Sequence, residues 1–144
     1  MNLTVKSLGG VRFEIQSGPH AVTIDQPIED GGTDAGMTPV ELFVGSLASC
    51  VGYFVSRYCM RHGLAIDGFT IDVQWTMAEH PHRVGAVELT LHLPAALDPA
   101  QREKLLKVAH GCTVHQSLAI PPTVEIKVRE AARSTDRPAS TPIP

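Results

Sequence analysis

Two thiols in different settings offer the most chemistry in this chain of 144 residues. Cys50 closes the run Thr38-Pro39-Val40-Glu41-Leu42-Phe43-Val44-Gly45-Ser46-Leu47-Ala48-Ser49-Cys50, and Cys112 sits within His110-Gly111-Cys112-Thr113-Val114-His115-Gln116-Ser117-Leu118. The first run carries its thiol into an apolar interior on a helix. The second places a thiol on a turn just past another helix. A buried thiol reacts only when something stabilises its thiolate, and cycles only when something resolves its oxidised form. Two cysteines so placed read as a redox pair.

The helix around Cys50 sets its surroundings. Phe43, Leu47, Phe54 and Arg57 stand three, four or seven positions away and share its face, which is therefore aromatic, apolar and furnished with one cation. Cys59 lies about 180° round the helix, so it cannot pair with Cys50 and reads as a small buried hydrophobe. A competing use of the second thiol is a zinc site built from Cys112, His115 and His110 with Cys50 as a further donor, but a lone Cys-x-x-His pair lacks the second pair such sites use. His80-Pro81-His82 falls in a predicted hairpin turn and is expected to be solvated.

The elements that must position these thiols follow from periodicity. Leu3 to Ser7, Val11 to Gln16 and Ala21 to Asp25 alternate and are separated by Gly9-Gly10 and Ser17-Gly18-Pro19, which predicts a small antiparallel sheet. Pro27 to Gly36 is polar and glycine-rich, a loop. Thr38 then caps a helix with Pro39 at its first position and Glu41 completing a capping box. That helix, Pro39 to His62, is apolar around nearly its whole circumference until Arg57, so it is expected to be buried on most sides, more than a lone domain of this size can achieve. Gly68 to Glu79 and Arg83 to Leu93 predict a long hairpin. Asp98-Pro99 opens a second helix ending near Gly111, Thr113 to Ala119 a short third, and Thr123 to Arg129 alternates strictly as a last strand with one wet face. One domain over residues 1–130 and a flexible proline-containing tail over 131–144 complete the expected organisation.

Composition narrows the function classes. A net charge of -3 and the absence of Lys/Arg clusters leave no electrostatic footprint for nucleic acid. No charged segment followed by an apolar one begins the chain, and no apolar stretch reaches the ~20 residues of a membrane span, so no membrane partner and a cytoplasmic location are expected. Three cysteines in a reducing compartment suit catalytic or buried thiols rather than a disulfide framework.

The pattern Gly31-Gly32-Thr33-Asp34-Ala35-Gly36-Met37-Thr38-Pro39-Val40-Glu41-Leu42, then Leu47-Ala48-Ser49-Cys50, then Gly111-Cys112-Thr113-Val114-His115 with Leu118, resembles the OsmC/Ohr family of thiol-dependent peroxidases, particularly its OsmC-like branch. The resemblance spans about residues 1 to 129. It implies an α+β fold, with antiparallel sheets packed around long cysteine-bearing helices at the centre of an intertwined homodimer. It also implies that Cys50 is the peroxidatic thiol and Cys112 the resolving one. The substrate would be an organic hydroperoxide, the reductant an external dithiol or lipoyl-type thiol, and no metal or organic cofactor would be needed. An apolar site favours such substrates, because alkyl area recovers roughly 25 cal/mol per Å² on burial. In the best-studied branch an Arg after the first strand activates the thiol, held by a Glu near the start of the long helix. The resemblance places Arg12 in the first role. The Glu falls where this chain has Val40, while Glu41 already has its capping role. Arg57 is the alternative cation. A different class of function, a dimeric binding or redox-sensing protein with an apolar interface pocket and little turnover, would use the same scaffold.

Overall fold

Alternating apolar residues and glycine turns build the N-terminal sheet. In the computed structural model, which describes residues 1–130, β1 (Thr4–Gly9), β2 (Arg12–Ser17) and β3 (His20–Ile24) form an antiparallel meander in that order. Val5 faces Ile15, Ile15 faces Val22, and Phe13 faces Ile24, so one face of the sheet is apolar. That face meets the start of the long helix through Pro39 and Leu42.

The helix α1 (Pro39–Arg61) starts as its sequence dictates. Glu41 N–H donates to Thr38 Oγ1 at 3.2 Å, and Thr38 N–H donates back to the Glu41 carboxylate at 2.7 Å. That second bond, with the Thr38 side chain, lowers the Glu41 pKa from its ordinary value. Val44, Leu47, Ala48, Val51, Val55, Tyr58 and Cys59 mark the buried face of α1. The hairpin of β4 (Thr70–Glu79) and β5 (His82–His92) packs against it, with Ile71 opposite Leu91 and Val73 opposite Leu89. Gly52 makes the approach close, since a Cβ there would stand 3.3 Å from Ile71 Cδ1. Then α2 (Pro99–His110) and α3 (Thr113–Ala119) close the core, α2 opening on a second capping box between Asp98 and Gln101. Leu47, Val51, Val55, Tyr58, Cys59, Leu105, Ala109 and Cys112 form the buried cluster.

Three expectations are revised. Thr123 to Arg129 forms no strand, and Val124, Ile126 and Val128 are 78, 87 and 83% exposed. Alternation alone cannot make a strand, because a strand exists only once its backbone groups pair with a neighbour, and residues 123–129 pair with no strand of the described residues. Secondly, α1 is buried along one stripe only, while Phe43, Tyr53 and Met60 are 38, 56 and 61% exposed. One hairpin and two short helices cannot wrap a 23-residue rod. Thirdly, α1 is long and apolar enough, by length and composition, to cross a membrane; the sheet and helices packed on its buried stripe are those of a core helix. The proposed tail at 131–144 lies outside the described residues.

Candidate active site

The end of α2 delivers Cys112 to α1. Gly111 caps α2, and Cys112, wholly buried, is the N-cap of α3, its Sγ accepting the His115 N–H at 3.2 Å. Cys50, half-buried on α1, packs against the buried cluster that contains Cys112 and acts on its thiol as a neighbour. All three cysteines are free thiols. Burial is the chief influence on Cys112 and raises its pKa. The His115 N–H is the next-largest influence and lowers it, the neighbouring Cys50 thiol raises it, and the Val114 N–H lowers it least. Of the pair, Cys112 is therefore held as a thiol. None of the influences on it comes from a cation.

Cys50 looks along α1 toward two kinds of lining. On its N-terminal side Phe43 and Leu47 meet Arg83 to Val87 of β5, with His115, Leu118 and Ala119, around a largely apolar cavity of about 720 Å³. On its C-terminal side the stripe continues as Phe54 and Arg57. Arg57 is turned away to Tyr53, donating from Nη1 to the phenol at 3.1 Å with its guanidinium 5.5 Å from the ring centre. Cys59 is buried, and its thiol is raised by that burial alone. Arg12 opens β2, and its Nε is buried without a partner among the described residues. No hydrogen bond joins Arg12 to either thiol.

The zinc alternative does not assemble. His110 and His115 stand ring to ring, 5.1 Å between centres, but no group of three or more His, Cys, Asp or Glu side chains among the described residues is placed to hold a metal ion. His82 is exposed beside Glu79 at the hairpin, as its turn position predicts.

Asp25 was not singled out by its sequence, where it reads as the end of a strand. It is 1% exposed and carries the whole connection into α1. Its carboxylate accepts from Thr33 Oγ1 at 2.7 Å, Gln26 N–H at 2.9 Å, Thr33 N–H at 3.0 Å and Ala35 N–H at 3.2 Å. The Thr33 hydroxyl is the main cause, and with the backbone donors it outweighs burial and holds the carboxyl well below the usual range. The loop closes so tightly that a Cβ at Gly32 would stand 1.8 Å from the Gln26 carbonyl oxygen, and one at Gly36 2.3 Å from that of Thr23. The signal in the sequence was an acid at the start of a loop whose threonine and glycines lie within ten residues.

Residues 31–127, from within this loop through α1, the β4–β5 hairpin and α2 to beyond the Cys112 turn, match the model of the OsmC-like protein family. The chain belongs to the OsmC-like family. Solved structures agree on the fold. An osmotic stress induced and detoxification response protein from Psychrobacter arcticus is 24% identical, with a TM-score of 0.75 over 81% of this chain and 87% of that one. An organic hydroperoxide resistance protein of Legionella pneumophila is 20% identical, TM-score 0.61, over 82% and 89%. One from Bacillus subtilis is 24% identical, TM-score 0.56, over 81% and 90%. Comparison with curated proteins finds no significant match. At these identities the likeness of this OsmC-like chain to the solved structures is one of fold.

Proposed function

We propose that this OsmC-like protein is a thiol-dependent peroxidase that reduces organic hydroperoxides to alcohols. The observation that carries the proposal is the meeting of Cys50 and Cys112, one half-buried beside an apolar cavity, the other fully buried and held as a thiol. The Cys50 thiolate attacks the outer oxygen of the O–O bond and becomes a sulfenic acid, and the alkoxide leaves with a proton as the alcohol. Cys112 then attacks the sulfenic sulfur, water departs and a disulfide forms. An external dithiol, lipoyl-type or synthetic, exchanges with that disulfide and restores both thiols. The names of the solved relatives from Legionella and Bacillus support the substrate class.

Arg12 is the proposed activating cation, supported by its buried and unpartnered Nε; Arg57 is engaged with Tyr53. The working form is a homodimer, supported by the exposed apolar side of α1 and the unpaired alternating segment 123–129. A cytoplasmic setting suits three reduced thiols. A binding or sensing role is favoured by one observation, that Arg57, the cation on the Cys50 face, is hydrogen-bonded to Tyr53 instead.

Turnover of tert-butyl or cumene hydroperoxide with dithiothreitol tests the proposal. Stoichiometric dithiol oxidation, faster than with hydrogen peroxide, is expected; binding without turnover leaves the sensing role. A stable folded monomer at micromolar concentration by sedimentation would remove the shared-subunit site.

A further inference from the structure

Beyond Cys50 the same stripe of α1 runs on as Phe54, Arg57, Tyr58, Arg61 and His62, and lines a cavity of about 350 Å³ completed by Val108 and Gly111. Gly111 directly precedes Cys112 and Phe54 lies one turn past Cys50, so this cavity lies near the thiol pair, toward the end of α1 away from the Phe43 and Leu47 cavity, without either thiol in its wall. Its lining carries two arginines where the first cavity has one. Two permanently charged guanidiniums and an imidazole stand among the rings of Phe54 and Tyr58, and Tyr58 stacks on His62 at 4.2 Å between centres. Neither Arg57 nor Arg61 has a carboxylate within ion-pairing distance among the described residues, whose ion pairs involve His82, His92, Lys107 and Lys127 instead. Tyr53 holds Arg57 without neutralising it.

Favourable interaction with a helix C-terminus accounts for a basic residue in the last turn. It does not account for two arginines lining one concavity together with aromatic walls. A planar guanidinium binds a carboxylate through paired N–H donors, and an aromatic wall accepts an alkyl chain. Arg57 lies seven residues past Cys50, about 10 Å along the axis, a span that an acyl chain of medium length bridges. We propose that this cavity binds the carboxylate of a small amphipathic monoanion whose chain reaches back to the Cys50–Cys112 pair. The anion is carried either by the hydroperoxide or by the dithiol reductant; its use in turnover rests on the peroxidase reading, its existence does not.

Calorimetry on the reduced full chain with octanoate and octanamide tests the site without any turnover. Octanoate is expected to bind at least about tenfold more tightly than the amide, as a charge-assisted pair allows. Arg61→Gln should erase the difference and Arg61→Lys restore part of it, each variant keeping its helical circular dichroism because Arg61 is exposed. Equal affinity for acid and amide, no binding of either, or an unchanged preference in Arg61→Gln overturns the proposal. Kinetics then identify the source. Arg61→Gln should raise KM about tenfold for a fatty-acid hydroperoxide but not its methyl ester, or for dihydrolipoate but not dihydrolipoamide. If both acids react like their neutral partners in the wild type, the link to turnover is overturned. If no peroxide is consumed while octanoate is still preferred, the peroxidase reading fails and the site stands.

Discussion

Asp25 and Cys112 are two ionisable groups removed almost completely from solvent, and the protein drives them in opposite directions. Asp25 receives four hydrogen bonds from the loop that wraps it, and its charged form wins despite burial. Cys112 receives one N–H at 3.2 Å and a second thiol as neighbour, and its neutral form wins. Burial by itself therefore predicts neither outcome; the number and sign of the donors arranged around the group do. The loop uses a fixed charge as a structural knot. The thiol pair keeps one fully buried member protonated beside a half-buried one.

Replacing the neighbour at the thiol pair should give the largest effect. Cys50→Ser is expected to reduce peroxide turnover to background, whereas Cys112→Ser should still consume about one equivalent and leave a sulfenic acid that dimedone traps. Equal single-turnover consumption by the two variants would dissolve the division of labour. The knot can be broken sterically. Gly32→Ala forces a Cβ against the Gln26 carbonyl, and urea unfolding should show a loss of about 1–3 kcal/mol with the thiols untouched.

The two groups should also limit the pH range of the fold from opposite ends. The folded pKa of Asp25 lies below its unfolded value, so its contribution is present above about pH 4 and is lost as pH falls through the folded value. Asp25→Asn should flatten the acid limb of a stability–pH curve measured by thermal melting; an identical acid limb would contradict the knot. For Cys112 the folded pKa is raised, so its contribution is present below the unfolded thiol pKa of about 8.5 and is lost as pH rises through the folded value. Iodoacetamide at pH 8 should label Cys112 more slowly in the folded protein than in urea. The smallest effect belongs to a cap outside both regions. Glu41→Gln should lower stability by roughly 1 kcal/mol or less and leave thiol reactivity unchanged.

What the sequence made legible was local. The capping box at Thr38 and Glu41, the proline at the first turn and the turns of the three hairpins each involve residues close in sequence, and all formed as expected. The meeting of Cys50 with Cys112 spans 62 positions, and the family resemblance suggested it where periodicity could not. Asp25 escaped notice because its donors lie as far as ten residues on and because a strand pattern ends beside it. Segment 123–129 misled for the opposite reason, since alternation describes a strand's two faces but says nothing about the edge it joins. Arg57 shows a similar limit. Helical spacing put it on the Cys50 face correctly, but Tyr53, four positions before it, decides where the guanidinium points.

On the proposed peroxidase reading, the placement of Cys112 beside Cys50 also bears on how long such a molecule survives its own chemistry. A sulfenic acid at Cys50 faces a race between two fates. Capture by Cys112 within the same chain proceeds at a rate independent of how much oxidant surrounds the protein. Attack by a second peroxide, which leads to the irreversible sulfinic acid, scales with oxidant concentration. The closeness of the two sulfurs thus sets a ceiling on oxidant load, below which each insult is repaired before the next arrives and above which the population is steadily lost.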